Sequence, residues 1–127
     1  MPPPPKDSCL AVRQVLNRVG DKWSVYVVAS LSDGPMRFNA LKRAIEGISQ
    51  RMLTFTLKSL EQDGIVTRTV YPTVPARVDY ELTKLGRTLL EPVNALAAWA
   101  QEHVGAIEAA RVRYAKSQEK KKAKAAA

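Results

Sequence analysis

Most of the chain repeats its apolar residues at the three-to-four spacing of an amphipathic helix, and one stretch switches to strict alternation. Leu10, Val12, Val15, Leu16 and Val19 predict a first helix ending at Gly20. Asp21 can cap a second, in which Trp23, Val27 and Leu31 share a face while Val25, Tyr26 and Val28 cover most of the others. A helix apolar nearly all round belongs at the centre of a fold. The β-branched content of 23–28 also permits a strand, but Asp21 before it and Gly34-Pro35 after it favour the helix.

The segment from Arg37 to Leu82 organises the rest. Phe38, Leu41 and Ile45 predict a short helix with Arg37, Lys42 and Arg43 outside, and Gly47 allows a sharp turn. Ser49 is an N-cap, with Ile48 and Leu53 placed as a hydrophobic staple, so the next helix starts at Gln50. Leu53, Leu57 and Leu60 form its buried stripe, Arg51, Thr54, Phe55 and Lys58 its opposite face, and Asp63-Gly64 its end. A β-rich run, Ile65 to Tyr71, follows. Arg77 to Leu82 then alternates, with Val78, Tyr80 and Leu82 on one side and Arg77, Asp79 and Glu81 on the other. Between the two runs, Pro72 and Pro75 lack N–H donors and predict a stiff loop rather than ladder strand. Helix, turn, helix and hairpin in this order predict a mainly α chain with a small β-hairpin, a winged helix-turn-helix.

Beyond the hairpin, Thr83 is a possible N-cap, and Leu85, Leu89, Val93, Leu96, Ala100, Val104 and Ile107 keep helical spacing, with Pro92 expected to kink or divide the run. This stripe and that of the first helix exceed what a small winged domain covers, which predicts a homodimer built through the N- and C-terminal helices. The domain plan is a Pro-rich extended or disordered lead at 1–8, the winged domain with its dimerisation helix at 9–110, and a basic disordered tail at 111–127.

Charge changes the picture less than its sum indicates. The 127 residues carry +8, but +6 of that lies in residues 111–127. A basic balance points to nucleic acid or an anionic surface, so the face of the second helix of the pair is better evidence than the total. One cysteine, Cys9, excludes an intrachain disulfide framework and fits a reducing compartment. The opening Met1-Pro2-Pro3-Pro4-Pro5 is unlike a secretion signal, and the longest nearly apolar run, Trp23 to Leu31, is far shorter than the ~20 residues of a membrane helix, so a cytoplasmic protein is expected. His103 is the one histidine, and no Gly-rich phosphate loop or CxxC spacing occurs. An enzyme, a metal site and a cofactor are therefore not expected.

The chemistry expected is base and phosphate recognition. Arg51 can bridge guanine O6 and N7, Gln50 can pair with adenine, and Thr54 or Phe55 can meet a thymine methyl. Lys58, Arg37, Lys42 and Arg77 suit phosphate, Arg77 also the minor groove, with a solvated surface charge as the plain alternative, strongest for Lys42 and Arg43. A competing reading is a non-specific nucleic-acid-binding or protein-interaction module driven by the basic tail.

The segments VGDKW (Val19–Trp23), LSDGPMRFNALKRAIEGISQRMLTFTLKSLEQDGIVTR (Leu31–Arg68) and VYPTVPARVDYELTKLGRTL (Val70–Leu89) together resemble the HxlR-type winged-helix transcriptional regulators, relatives of the MarR group. That resemblance implies a dimer, a recognition helix starting at Ser49-Gln50-Arg51, a wing around Pro75-Ala76-Arg77, and repression or activation of a neighbouring gene, commonly in response to electrophiles, oxidants or other stress; of the two signs, a repressor is the one expected here. In many members a cysteine just before the first helix senses thiol-reactive compounds. Cys9 lies in that region, although Leu10 follows it where the pattern has proline. Lys6 and Arg13, near it in sequence, supply positive charge of the kind that raises a thiol's reactivity. The other reading of Cys9 is a small packed residue at a dimer interface.

Overall fold

The computed structural model describes residues 6–126. In chain order these form α1 (Lys6–Val19), α2 (Lys22–Ser30), a 3-10 turn (Leu31–Asp33), β1 (Met36–Arg37), α3 (Phe38–Ala44), α4 (Gln50–Gln62), β2 (Val66–Tyr71), β3 (Arg77–Leu82), α5 (Lys84–Thr88) and α6 (Leu90–Ala126). The chain divides into two compact units, Met1–Val93 and Asn94–Ala127.

The core of the first unit is built from the predicted stripes. Val27, Val28 and Leu31 from α2 and its turn, Leu41 from α3, and Leu53, Leu57 and Leu60 from α4 are all essentially without solvent contact. Each such side chain contributes about 1.5–3 kcal/mol by leaving water. Val66, Tyr80 and Leu82 close the core from the sheet, and Val93 from the start of α6. Asp21 caps α2 as expected, its carboxylate accepting the Ser24 N–H at 3.3 Å. Tyr26 remains about half exposed, so α2 is less enclosed than its composition predicts.

The hairpin registers Val66 against Leu82 and Tyr71 against Arg77. A third strand, unforeseen because it is two residues long, adds β1 to the free side of β3, giving the order β1-β3-β2 with Met36 opposite Tyr80 and Arg37 opposite Asp79. No periodicity can be read in two residues, so only tertiary pairing reveals it.

The corner after α4 is a Schellman closure. Gly64 takes φ 74°, Ile65 N–H donates to Leu60 C=O at 2.9 Å, and Gly64 N–H donates to Glu61 C=O at 3.1 Å. Thr83 ties this corner to the end of the wing. Its backbone N–H donates to Ile65 C=O at 3.0 Å, its hydroxyl donates to Gly64 C=O at 2.5 Å, and the same oxygen accepts the Gly86 N–H at 3.0 Å to cap α5.

Three sequence expectations change. The expected extended lead at 1–8 gives way to α1 from Lys6, directly after the last proline; residues 1–5 lie outside the described residues. The long C-terminal run divides at Leu89, with Pro92 as the third residue of α6, where its missing N–H costs no intrahelical bond. The expected disordered tail at 111–127 is helical through Ala126. Residues 106–126 contain neither Gly nor Pro and are dominated by Ala, Lys, Glu, Gln and Arg, whose helix propensities are high.

Candidate nucleic-acid interface

The candidate interface begins with how α4 is started. Gly47 at φ 83° turns the chain between α3 and α4, and Ile48 buries itself in the core. Ser49 then caps the helix, its Oγ accepting the Met52 N–H at 3.0 Å. No acidic residue occupies the first turn, so the positive end of the helix dipole is reinforced by Arg51 rather than neutralised. Because Leu53, Leu57 and Leu60 anchor one face, the other is held toward solvent. Gln50, Arg51, Thr54, Phe55 and Lys58 are all exposed and line one shallow hollow of about 590 Å³. Thr54 is oriented by its hydroxyl donating to Gln50 C=O at 2.9 Å. Phe55 is 65% exposed, an arrangement that contributes little to the core and leaves a flat apolar surface beside a guanidinium and an ammonium.

The second part is the wing where its ladder meets the loop. Arg77 donates to Asp79 through Nε (3.0 Å) and Nη2 (2.8 Å), and its guanidinium lies 5.1 Å from the centre of the Tyr71 ring. Asp79, expected on the outward side of β3, is buried instead. β1 pairs along β3 at this position, placing Arg37 directly opposite, and Arg77 engages the carboxylate from its own strand. The hydrogen bonds from Arg77, with further attraction to Arg77 and Arg37, hold the Asp79 carboxyl below its ordinary range against the opposing effect of desolvation. The same bonds raise the Arg77 guanidinium above its ordinary value. Arg37, forty residues from Arg77 in sequence, is thereby brought opposite the carboxylate that Arg77 holds and adds a longer-range attraction to it. Sequence reasoning named both arginines and missed Asp79; the cue available was a carboxylate two residues from an arginine on one strand face.

At the wing tip, the Val74–Pro75 peptide is cis, and the Thr73 hydroxyl donates to Pro75 C=O at 2.8 Å. Lys42 and Arg43 are exposed in the last turn of α3, where they complement the helix dipole. Cys9, in contrast, is not part of this surface. It is the fourth residue of α1 and is exposed.

A capped helix presenting polar and basic groups, preceded by a shorter helix and followed by a hairpin with an arginine where its ladder meets the loop, is the arrangement of a winged helix-turn-helix. The model of the HxlR-like helix-turn-helix matches residues 18–108. The chain belongs to the HxlR family. It is 42% identical over 99 residues to the uncharacterized HTH-type transcriptional regulator YtfH of Escherichia coli K12, covering 78% of this chain and 79% of that one. Among solved structures, the putative transcriptional regulator ytfH from Salmonella typhimurium superposes with a TM-score of 0.74 at 41% identity, over 79% of this chain and 89% of that one. The redox regulator HypR in its reduced form gives 0.72 at 40% identity, over 78% and 98%. As an HxlR protein the chain is a DNA-binding transcriptional regulator. Among the described residues, no helix is long and apolar enough to cross a membrane.

Proposed function

We propose that this HxlR-type regulator binds a palindromic DNA site as a homodimer and acts as a repressor, with Cys9 conferring sensitivity to oxidants or electrophiles. The observation that carries the reading is the α4 face: Gln50, Arg51, Thr54, Phe55 and Lys58 lie together and exposed on a helix whose other side is locked into the core. Arg51, near the helix start, is the guanine reader, Gln50 an adenine reader, and Thr54 and Phe55 meet thymine methyls. Ser49 sets the helix start, and Lys58, Arg37 and Arg77 take phosphates that fix register. Arg77 spends two donors on Asp79 and keeps the rest of its guanidinium for the nucleic acid.

The dimer reading is supported by apolar surface without a cover in each unit. Leu10, Val12, Val15 and Leu16 on α1 are half exposed or more, as are Leu96, Trp99, Val104 and Val112 on α6. In a homodimer these faces meet a second copy, and two recognition helices then address half-sites about 34–36 Å apart. The redox reading is supported by the exposed Cys9 and by the likeness to a solved redox regulator.

The test is a gel-shift titration against the region upstream of the protein's own gene and against random DNA, with and without diamide. A preference for the upstream region that diamide abolishes in the parent and not in Cys9→Ser supports sequence-specific recognition gated by Cys9. A preference that diamide abolishes equally in both proteins removes Cys9 from it, and equal binding to both DNAs removes sequence-specific recognition.

A further inference from the structure

The HxlR match ends at residue 108, yet α6 continues without a break to Ala126. This extension holds seven of the chain's twenty basic residues and one acid after residue 110, Glu119. Their spacing on the helix is uneven in a useful way. Arg113, Lys116, Lys120 and Lys124 follow one another at i, i+3, i+7 and i+11, which at 100° per residue confines them to an arc of roughly 80°. All four are exposed, and Glu119 falls outside the arc. At 1.5 Å per residue the stripe is about 16 Å long. Arg111 and Lys122 point to the opposite side of the helix.

We propose that this stripe of α6 is a second nucleic-acid surface, in which Arg113, Lys116, Lys120 and Lys124 contact the phosphate backbone of duplex DNA without reading its sequence. Duplex DNA offers one charge per about 3.4 Å of axis on each strand, so a row of cations 16 Å long faces several phosphates. A helix that binds an anionic membrane surface carries an apolar face of Trp, Phe or Leu opposite its cations. Residues 111–126 have none of these; Val112 and Tyr114, both near the start of the extension, are their only large apolar side chains. The charge pattern therefore fits a polyanion in water and not a bilayer. The surface adds backbone affinity to whatever sequence preference α4 supplies, and it acts on any duplex.

Two charge-matched double variants of the full chain test this. Lys116→Gln/Lys120→Gln removes two cations from the stripe, and Arg111→Gln/Lys122→Gln removes two from the opposite side. Glutamine is a comparable helix former, and circular dichroism verifies that α6 persists. Dissociation constants are measured on a random-sequence 40-bp duplex between 50 and 200 mM salt. The stripe variant is expected to reduce the slope of log affinity against log salt by about 1.8 per bound chain, at about 0.9 per phosphate contact. The parent then loses about tenfold more affinity than the stripe variant across that fourfold salt range, while the opposite-face variant keeps the parent's slope. Equal changes in both variants would mean diffuse attraction and overturn the stripe. So would an unchanged slope, or loss of binding confined to phosphatidylserine vesicles. The ratio of affinities for the upstream region and the random duplex reports separately on α4, so a parent that lacks sequence preference sinks the proposed function without deciding the stripe.

Discussion

Thr83 is the residue on which the geometry of the wing, the α4 corner and α5 converge, and replacing it with alanine gives a measurable loss. The substitution removes the side-chain cap on the Gly86 N–H, worth about 1 kcal/mol in typical helices. It also removes the hydroxyl's donation to the Gly64 and Ile65 carbonyls, worth about another 1 kcal/mol net. Together these predict about 2 kcal/mol, or roughly 8–16 °C in Tm for a cooperative unit under about 100 residues. Thr83→Ser keeps both interactions and should stay near the parent. Thr83→Val keeps the volume and loses the hydroxyl, so it should fall with alanine. The assay is thermal unfolding by circular dichroism at one protein concentration, because association would make Tm concentration-dependent. If Thr83→Val melts with the parent, methyl packing rather than hydrogen bonding holds this junction, and the reasoning fails.

Gly86→Ala should destabilise by about 1–3 kcal/mol in urea titration, because an added Cβ collides with the Ile65 carbonyl oxygen, a backbone atom that cannot step aside; a variant as stable as the parent would show that the corner is looser than described. On the proposed operator, Arg51→Ala should cost about 1–3 kcal/mol at one base position, whereas Lys58→Ala should weaken all sequences alike; competition gel shifts with single-base operator variants separate the two, and identical profiles would remove the division between base and phosphate contacts. Asp79 predicts a pH effect of definite sign. Its carboxyl is depressed in the folded state, so its contribution is present above the ordinary carboxylate range and is lost as pH falls through the lower folded value. Urea midpoints of the parent and Asp79→Asn should therefore converge as pH falls through and below the ordinary carboxylate range, and a gap that stays constant would mean that the Arg77 pair does not contribute through charge.

What could be read from the sequence is what depends on near neighbours. The caps at Asp21, Ser49 and Thr83 act over three residues, and the structure contains all of them. The leucine stripe of α4 and the polar face opposite it follow from helical geometry alone, which is why the exposed set Gln50, Arg51, Thr54, Phe55 and Lys58 was legible beforehand. The hairpin was legible because alternation and proline placement are also local. Tertiary structure decided the rest. The pairing of β1 with β3 joins residues more than forty apart, and Asp79, an apparent surface acid in the sequence, is a buried carboxylate paired with Arg77 and lying opposite Arg37. The threefold engagement of Thr83 likewise depends on the α4 corner arriving beside the end of β3. In the terminal extension a reading of charge favoured disorder, while the helix observed follows from propensity carried on from a helix already nucleated, where each further residue adds a hydrogen bond without repeating the cost of initiation.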